Sequence, residues 1–138
     1  MSRDECLEFL TEGTRTAKVA TVRPDGRPHV APVWFVVRDD HVVFTTWHQT
    51  VKAENLSTAP AVALTVDLEE PPYAFVLVEG TAQVQASDDE LVAVATAIGA
   101  RYMGVGQAEA FGQRNGVPGE WVVRVPLTRV MGRHEMTG

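Results

Sequence analysis

Cysteine is all but missing. Cys6 is the only one in 138 residues, so no intrachain disulfide and no cysteine-based zinc site can form. Long apolar runs are missing too: the stretch through Phe35–Val37 is broken at Arg38, far short of the roughly 20 residues a membrane helix needs. The opening Met-Ser-Arg-Asp-Glu has no apolar segment of the secretory kind, which makes the cytoplasm the expected compartment and a membrane partner unexpected. Basic charge is scarce. Twelve Lys and Arg against 18 Asp and Glu leave a net charge of −6, whereas nucleic-acid binding needs a basic face. Only Lys18 and Lys52 are lysines.

The usual catalytic signatures are absent as well. No glycine-rich dinucleotide loop, P-loop or nucleophile elbow occurs, and Gly104-Val-Gly106 follows a helical pattern rather than a strand. His29, His41, His48 and His134 lie on different strands and loops without metal-ligand spacing. The acidic pairs Asp39-Asp40, Glu69-Glu70 and Asp88-Asp89 fall at turns or at a helix start, where turn chemistry and the helix dipole account for them.

What is present reads as one soluble domain spanning 1–138, with 45% hydrophobic and 22% charged residues. Ser2 and Glu5 have capping-box spacing before Cys6, Phe9 and Leu10, predicting a short helix that stops near Gly13. The period then becomes two. Strands are expected at Ala17–Val22, His29–Val37 and Val42–Thr46, joined by turns into a meander. Thr50 is a candidate cap for a helix through Leu56, ended by Pro60. Further strands are expected at Ala61–Asp67 and Ala74–Ala86, the second bent or bulged at Gly80. Ser87 and Glu90 have capping-box spacing for a helix through about Tyr102, with more helix at Gln107–Arg114. Strands at Glu120–Val125 and Thr128–Gly132 finish the chain. The expected class is mainly β, a small closed or nearly closed barrel with three helices at its rim.

The segment Thr45-Thr-Trp-His-Gln-Thr-Val-Lys-Ala-Glu-Asn55 carries the most chemistry. A strand ends in hydroxyls, and a loop bearing an indole and an imidazole leads to a helix with the isolated Lys52. Hydroxyls, helix-start N–H groups and one cation are what a phosphate needs. The same stretch also reads as an ordinary connection with a solvated lysine. Trp34 and Trp47 can serve either packing or a site, and Trp121 reads as packing.

Arg27-Pro-His-Val-Ala-Pro-Val-Trp-Phe35, Val43-Phe-Thr-Thr46, Val51-Lys-Ala-Glu-Asn-Leu56 and Pro60-Ala-Val-Ala-Leu64 together resemble the pyridoxamine-phosphate-oxidase-like split barrels. Within that group the chain is similar to the small actinobacterial branch that uses the deazaflavin coenzyme F420. Leu77-Val-Glu-Gly-Thr81, Ala100-Arg-Tyr-Met-Gly104 and Asn115-Gly-Val-Pro-Gly-Glu120 extend the likeness over nearly the whole sequence. The resemblance implies a homodimer with cofactor sites at the subunit interface and a small-molecule substrate. Pro32, Val33 and Trp34 would lie against the ring. Thr45, Thr46, Trp47, His48, Thr50, Val51, Lys52 and Asn55 would hold the phosphate-bearing chain, and Tyr73 would touch the ring. Flavin-binding relatives carry arginine where Val51 stands, which removes a bidentate phosphate clamp and favours F420 over FMN. A non-catalytic binder of flavin, deazaflavin or haem is the alternative of another class. The vitamin B6 oxidases carry a longer segment beyond Met131–Gly138, so pyridoxamine phosphate is not the expected substrate. His48 and Tyr102 are the candidate proton donors.

Overall fold

Ser2 caps the first helix as its spacing predicts. Its hydroxyl accepts from the Glu5 N–H at 3.1 Å, and the Glu5 carboxylate accepts from the Ser2 N–H at 2.9 Å. Helix α1 therefore runs Arg3–Thr11 and buries Cys6, Phe9 and Leu10. The computed structural model describes residues 1–136; of the C-terminal stretch ending at Gly138, residues 137–138 lie outside it. The remaining elements are β1 (Ala17–Val22), β2 (Pro28–Val33), β3 (Val36–Arg38), β4 (His41–Trp47), α2 (Val51–Thr58), β5 (Ala61–Leu68) and β6 (Ala74–Thr81). They are followed by β7 (Gln83–Gln85), α3 (Leu91–Met103), α4 (Val105–Asn115), β8 (Glu120–Pro126) and β9 (Arg129–His134).

All pairings are antiparallel, in a five-stranded sheet ordered β2-β1-β5-β6-β9 and a four-stranded sheet ordered β3-β4-β8-β7. The class is mainly β, as expected, with nine strands and four helices among the described residues.

Two expected strands are each divided between the sheets. His29–Val37 breaks at Trp34-Phe35, so β2 and β3 do not pair and the meander stops there. The reason lies in how Phe35 is held. Its N–H donates to the Tyr102 hydroxyl at 3.3 Å and its carbonyl accepts from Arg101 Nη1 at 2.9 Å, so side chains take the place of a neighbouring strand. Ala74–Ala86 divides at Ala82, whose N–H donates to the Pro60 carbonyl at 2.8 Å. Gly80, where the bend was expected, stays in the ladder opposite Val62.

The turn between β3 and β4 behaves as its sequence suggests. Asp39 and Asp40 have φ of 50° and 58°, the positive pair that a two-residue hairpin turn requires. Beyond β7 the expected capping box fails. Helix α3 starts at Leu91 with no side-chain cap, because the Asp88 carboxylate accepts from the Glu90 N–H and grips Arg124 at 2.6 and 3.2 Å. Only Gly104, at φ 95°, separates α3 from α4, which begins earlier than expected and includes Gly106.

Alternate positions along each strand create two apolar layers. Phe44, Val42, Val123 and Val125 face the five-stranded sheet and, with Val19, Leu64, Val76 and Val78, fill the barrel. Val43 and Val122 point outward and are covered by Val94 and Ile98 of α3. On α4, Phe111 closes tightly on Gly99, where an added Cβ would lie 2.7 Å from the Phe111 Cβ. The outer face of the five-stranded sheet is different. It carries Val22, Val30, Pro32, Leu77 and Met131, with Val30 65% exposed. Among the described residues no helix is long and apolar enough to cross a membrane.

The Asp88–Arg124 pair ties the α3 entry to β8, with the Asp88 side chain only 6% exposed. Hydrogen bonding from Arg124, then from the Glu90 N–H, holds the Asp88 carboxyl below the usual carboxylate range. A depressed folded-state pKa gives stability that is complete above the unfolded value of about 3.9 and is lost as pH falls through the folded one. Asp88→Asn is expected to cost about 1–3 kcal/mol at neutral pH and progressively less below about pH 4. Denaturant melts of both proteins at about pH 7 and about pH 3 check this; an unchanged gap at the two pH values contradicts it.

Candidate functional site at the β4–α2 rim

Antiparallel pairing brings three chain segments to one end of the four-stranded sheet. The start of β3, the end of β4 and the start of β8 share this rim, with Trp47 opposite Glu120 in the ladder. Trp34 stands just before β3, and Thr45, Thr46 and Trp47 end β4. The Thr50 hydroxyl then caps α2, accepting from the Ala53 N–H at 3.2 Å while donating to the Trp47 carbonyl at 3.0 Å. A further contact of 2.7 Å joins it to the buried Thr46 hydroxyl. Hence the two threonines build the corner instead of presenting free hydroxyls.

The corner leaves the first turn of α2 open. The Glu54 N–H bonds the Thr50 carbonyl and the Ala53 N–H bonds the cap. Among the described residues no group accepts from the Val51 or Lys52 N–H. Such amides, with the helix dipole behind them, favour an anion. Lys52 stands beside them, half-buried. Burial pulls its ammonium below the usual lysine range, and Glu120 works in the opposite direction. Among the described residues no carboxylate oxygen lies within 4.0 Å of Lys52 Nζ. A helix start with two free amides and a cation without a contact ion pair has the chemistry an anion would use.

His48 is fixed rather than free. Its N–H and its Nδ1 both donate to the Gly119 carbonyl, at 2.9 and 3.1 Å, which leaves Nε2 as the available ring nitrogen. Its ring lies 4.6 Å from that of Trp47, which is 40% exposed and closes over Gly119; a Cβ there would meet the indole at 2.5 Å.

Trp34 is the aromatic surface of the rim. It is 41% exposed and stacks on Tyr102 with centroids 4.9 Å apart and planes 5° from parallel. The Tyr102 hydroxyl donates to the Arg15 carbonyl at 2.8 Å and accepts from Phe35, so its proton is committed to the backbone. Burial raises its pKa further. Arg101 braces the same place, donating to the carbonyls of Gly13, Phe35 and Leu10.

The structure thus gathers Thr45, Thr46, Trp47, His48, Thr50, Val51 and Lys52 at the β4–α2 corner, while Trp34 packs on Tyr102 of α3 and Phe111 of α4. It turns four of the sequence candidates elsewhere. Asn55 is buried, its amide donating to the Thr21 hydroxyl at 3.0 Å beneath α2. Val33 faces the barrel core, while Pro32 lies on the outer face of the five-stranded sheet. Tyr73 precedes β6, three strands from β2 or roughly 14 Å along the sheet. There it lines a separate cavity of about 570 Å³ with Lys18, Thr65, Asp67, Leu68 and Phe75. Two rim residues escaped the sequence reading, Glu120 and Arg101. Both sit inside stretches that carried the resemblance, but nothing in their spacing marks them as part of a site.

A family model described as Pyridoxamine 5'-phosphate oxidase matches residues 2–131. No curated protein matches the sequence. Among solved structures, the conserved hypothetical protein Rv2991 from Mycobacterium tuberculosis is 26% identical, with a TM-score of 0.84 over 99% of this chain and 86% of that one. A structure named F420 Reductase is 28% identical, with a TM-score of 0.70 over 90% of this chain and 94% of the other. The FAD binding protein from Mycobacterium smegmatis is 24% identical at a TM-score of 0.62, covering 97% of both chains, a likeness of fold.

Proposed function

The chain belongs to the pyridoxamine 5'-phosphate oxidase family, and from that membership we propose that it is an oxidoreductase that binds coenzyme F420 and reduces a conjugated small molecule. The observation that carries this reading is the α2 entry. It offers an anion two backbone amides and one ammonium, with Val51 where a second, forked cation would stand. The similarity to an F420 reductase over most of both chains supports it.

When bound, F420 would supply a hydride. Lys52 and the first turn of α2 would hold the phosphate. The exposed indole of Trp34, kept in place by Tyr102, would bound the ring pocket. Trp47 would exclude water from the corner over Gly119, and His48 Nε2 is the available proton carrier. FMN-dependent reduction on the same rim is the nearer alternative.

A second reading has its own observation. The Tyr102 proton is spent on a backbone carbonyl, which suits a protein that holds a flavin, deazaflavin or haem without chemistry. Titrating the purified protein with F420, FMN and haem separates the readings. F420 is expected to bind most tightly; a protein that purifies yellow or prefers FMN reverses the order.

A homodimer completes the proposal, with cofactor sites at the subunit interface. Val22, Val30, Pro32, Leu77 and Met131 share the outer face of the five-stranded sheet with Lys18, Asp67, Glu79 and Arg133, a mixed surface that a second copy would bury. Sedimentation at micromolar concentration is expected to show about twice the 15.0 kDa chain mass. A 15.0 kDa species alone overturns this part.

A further inference from the structure

Glu120 has no part in the binding scheme above, yet it stands inside the rim. It opens β8 directly opposite Trp47 and follows Gly119, whose carbonyl holds His48. Its carboxylate and Lys52 are close enough to influence each other, but they do not close into a contact pair within 4.0 Å. Burial raises the Glu120 carboxyl above the usual carboxylate range, opposed in part by the groups that face it, Lys52 of α2 and His48 of the β4–α2 loop. The only other charge in the first turn of α2 is a second carboxylate, Glu54.

The rim accordingly has the means to hold an anion but not the charge to hold a doubly charged one. With Lys52 and Glu120 both ionised their charges cancel. What remains is the partial positive charge of the α2 amides, roughly half an elementary charge. A phosphodiester carries one negative charge. A terminal phosphomonoester carries about 1.5 to 2 at neutral pH, and each increment is repelled by a half-buried carboxylate.

Resting on the binding proposal above, we infer that Glu120 is a specificity-determining residue that makes this site select a phosphodiester-linked ring cofactor over a phosphomonoester. The reading goes beyond the missing arginine at Val51, because it names a group that opposes the dianion rather than one that fails to attract it.

The experiment compares Glu120→Gln with the unaltered protein in titrations with riboflavin, FMN and F420 at about pH 7.5, where the FMN phosphate is mostly dianionic. Glu120→Ala serves as a second variant, and thermal melts confirm folding. Glu120→Gln is expected to tighten FMN roughly tenfold, a modest part of the interaction between charges a few ångströms apart near a surface. Riboflavin, which has no phosphate, should move less than about twofold, and F420 should gain less than FMN. Equal shifts for FMN and riboflavin, or no shift in either variant, overturn the role of Glu120 while leaving the binding proposal intact. If none of the three ligands binds any of the proteins, the binding proposal falls and this inference with it.

Discussion

Replacing Arg101 by alanine is expected to lower folding stability by about 3–4 kcal/mol, more than any other single change at the rim. The guanidinium donates to three carbonyls from three parts of the chain: Leu10 of α1, Gly13 beyond it, and Phe35 at the sheet crossover. It also lies 4.6 Å over the Phe35 ring and 5.1 Å over that of Tyr102. Hydrogen bonds to charged groups are worth about 1.5–3 kcal/mol each, and carbonyls left without a donor add their desolvation cost. The three bonds share one side chain and are not additive, which keeps the sum near the lower end. For a chain of this length, such a loss lowers the melting temperature by roughly 10–15 °C. Arg101→Lys should recover less than half, because one ammonium cannot reach three divergent carbonyls as the planar fork does. Thermal melts of the three proteins decide the matter, and an alanine variant within about 3 °C of the parent would refute it.

Lys52→Ala is expected to weaken F420 binding by about 1.5–3 kcal/mol, the scale of a hydrogen bond to a charged group. That corresponds to roughly 10- to 150-fold in Kd. The loss should shrink as salt rises, because part of the attraction is screened. Stability without ligand should change by less than about 1 kcal/mol, since two small effects oppose each other. Removing a cation from a helix start is favourable, while depriving Glu120 of its neighbouring charge is not. Ligand titrations at low and high salt and a ligand-free melt, all on the same variant, measure each component. If affinity stays within about twofold, Lys52 is not the phosphate contact and the α2 entry is not the anion site.

These expected effects differ in how far they could be read in advance. Lys52 was identifiable because it is one of two lysines and follows a capping threonine, a local pattern. Glu120 was not, since its meaning depends on β8 pairing with β4 and so bringing it opposite Trp47 and near Lys52. Tyr102 was read as a possible proton donor, but the fold spends its hydroxyl on Arg15 and Phe35, residues 87 and 67 positions away. Tyr73 sits on the far side of the five-stranded sheet from β2, a separation no sequence spacing reveals.

The sequence by itself determined the elements that depend on neighbours in the chain. The Ser2–Glu5 box, the Asp39-Asp40 turn and the Thr50 cap formed as read, as did the period-two strands other than His29–Val37 and Ala74–Ala86. Each rests on hydrogen bonds or burial within a few residues, so composition and spacing carry the information. Only the tertiary structure decided where strands change sheets and which charges meet. At Phe35 the ladder is replaced by partners far away, Arg101 and Tyr102, whereas at Ala82 the β5–β6 ladder makes one more bond, to Pro60, before the chain leaves the sheet. Alternation shows which face of a strand is buried, and it is the same whether the strand continues or crosses over. The crossover depends on which distant groups pair with the backbone N–H and carbonyl at that point, a property of the packed whole.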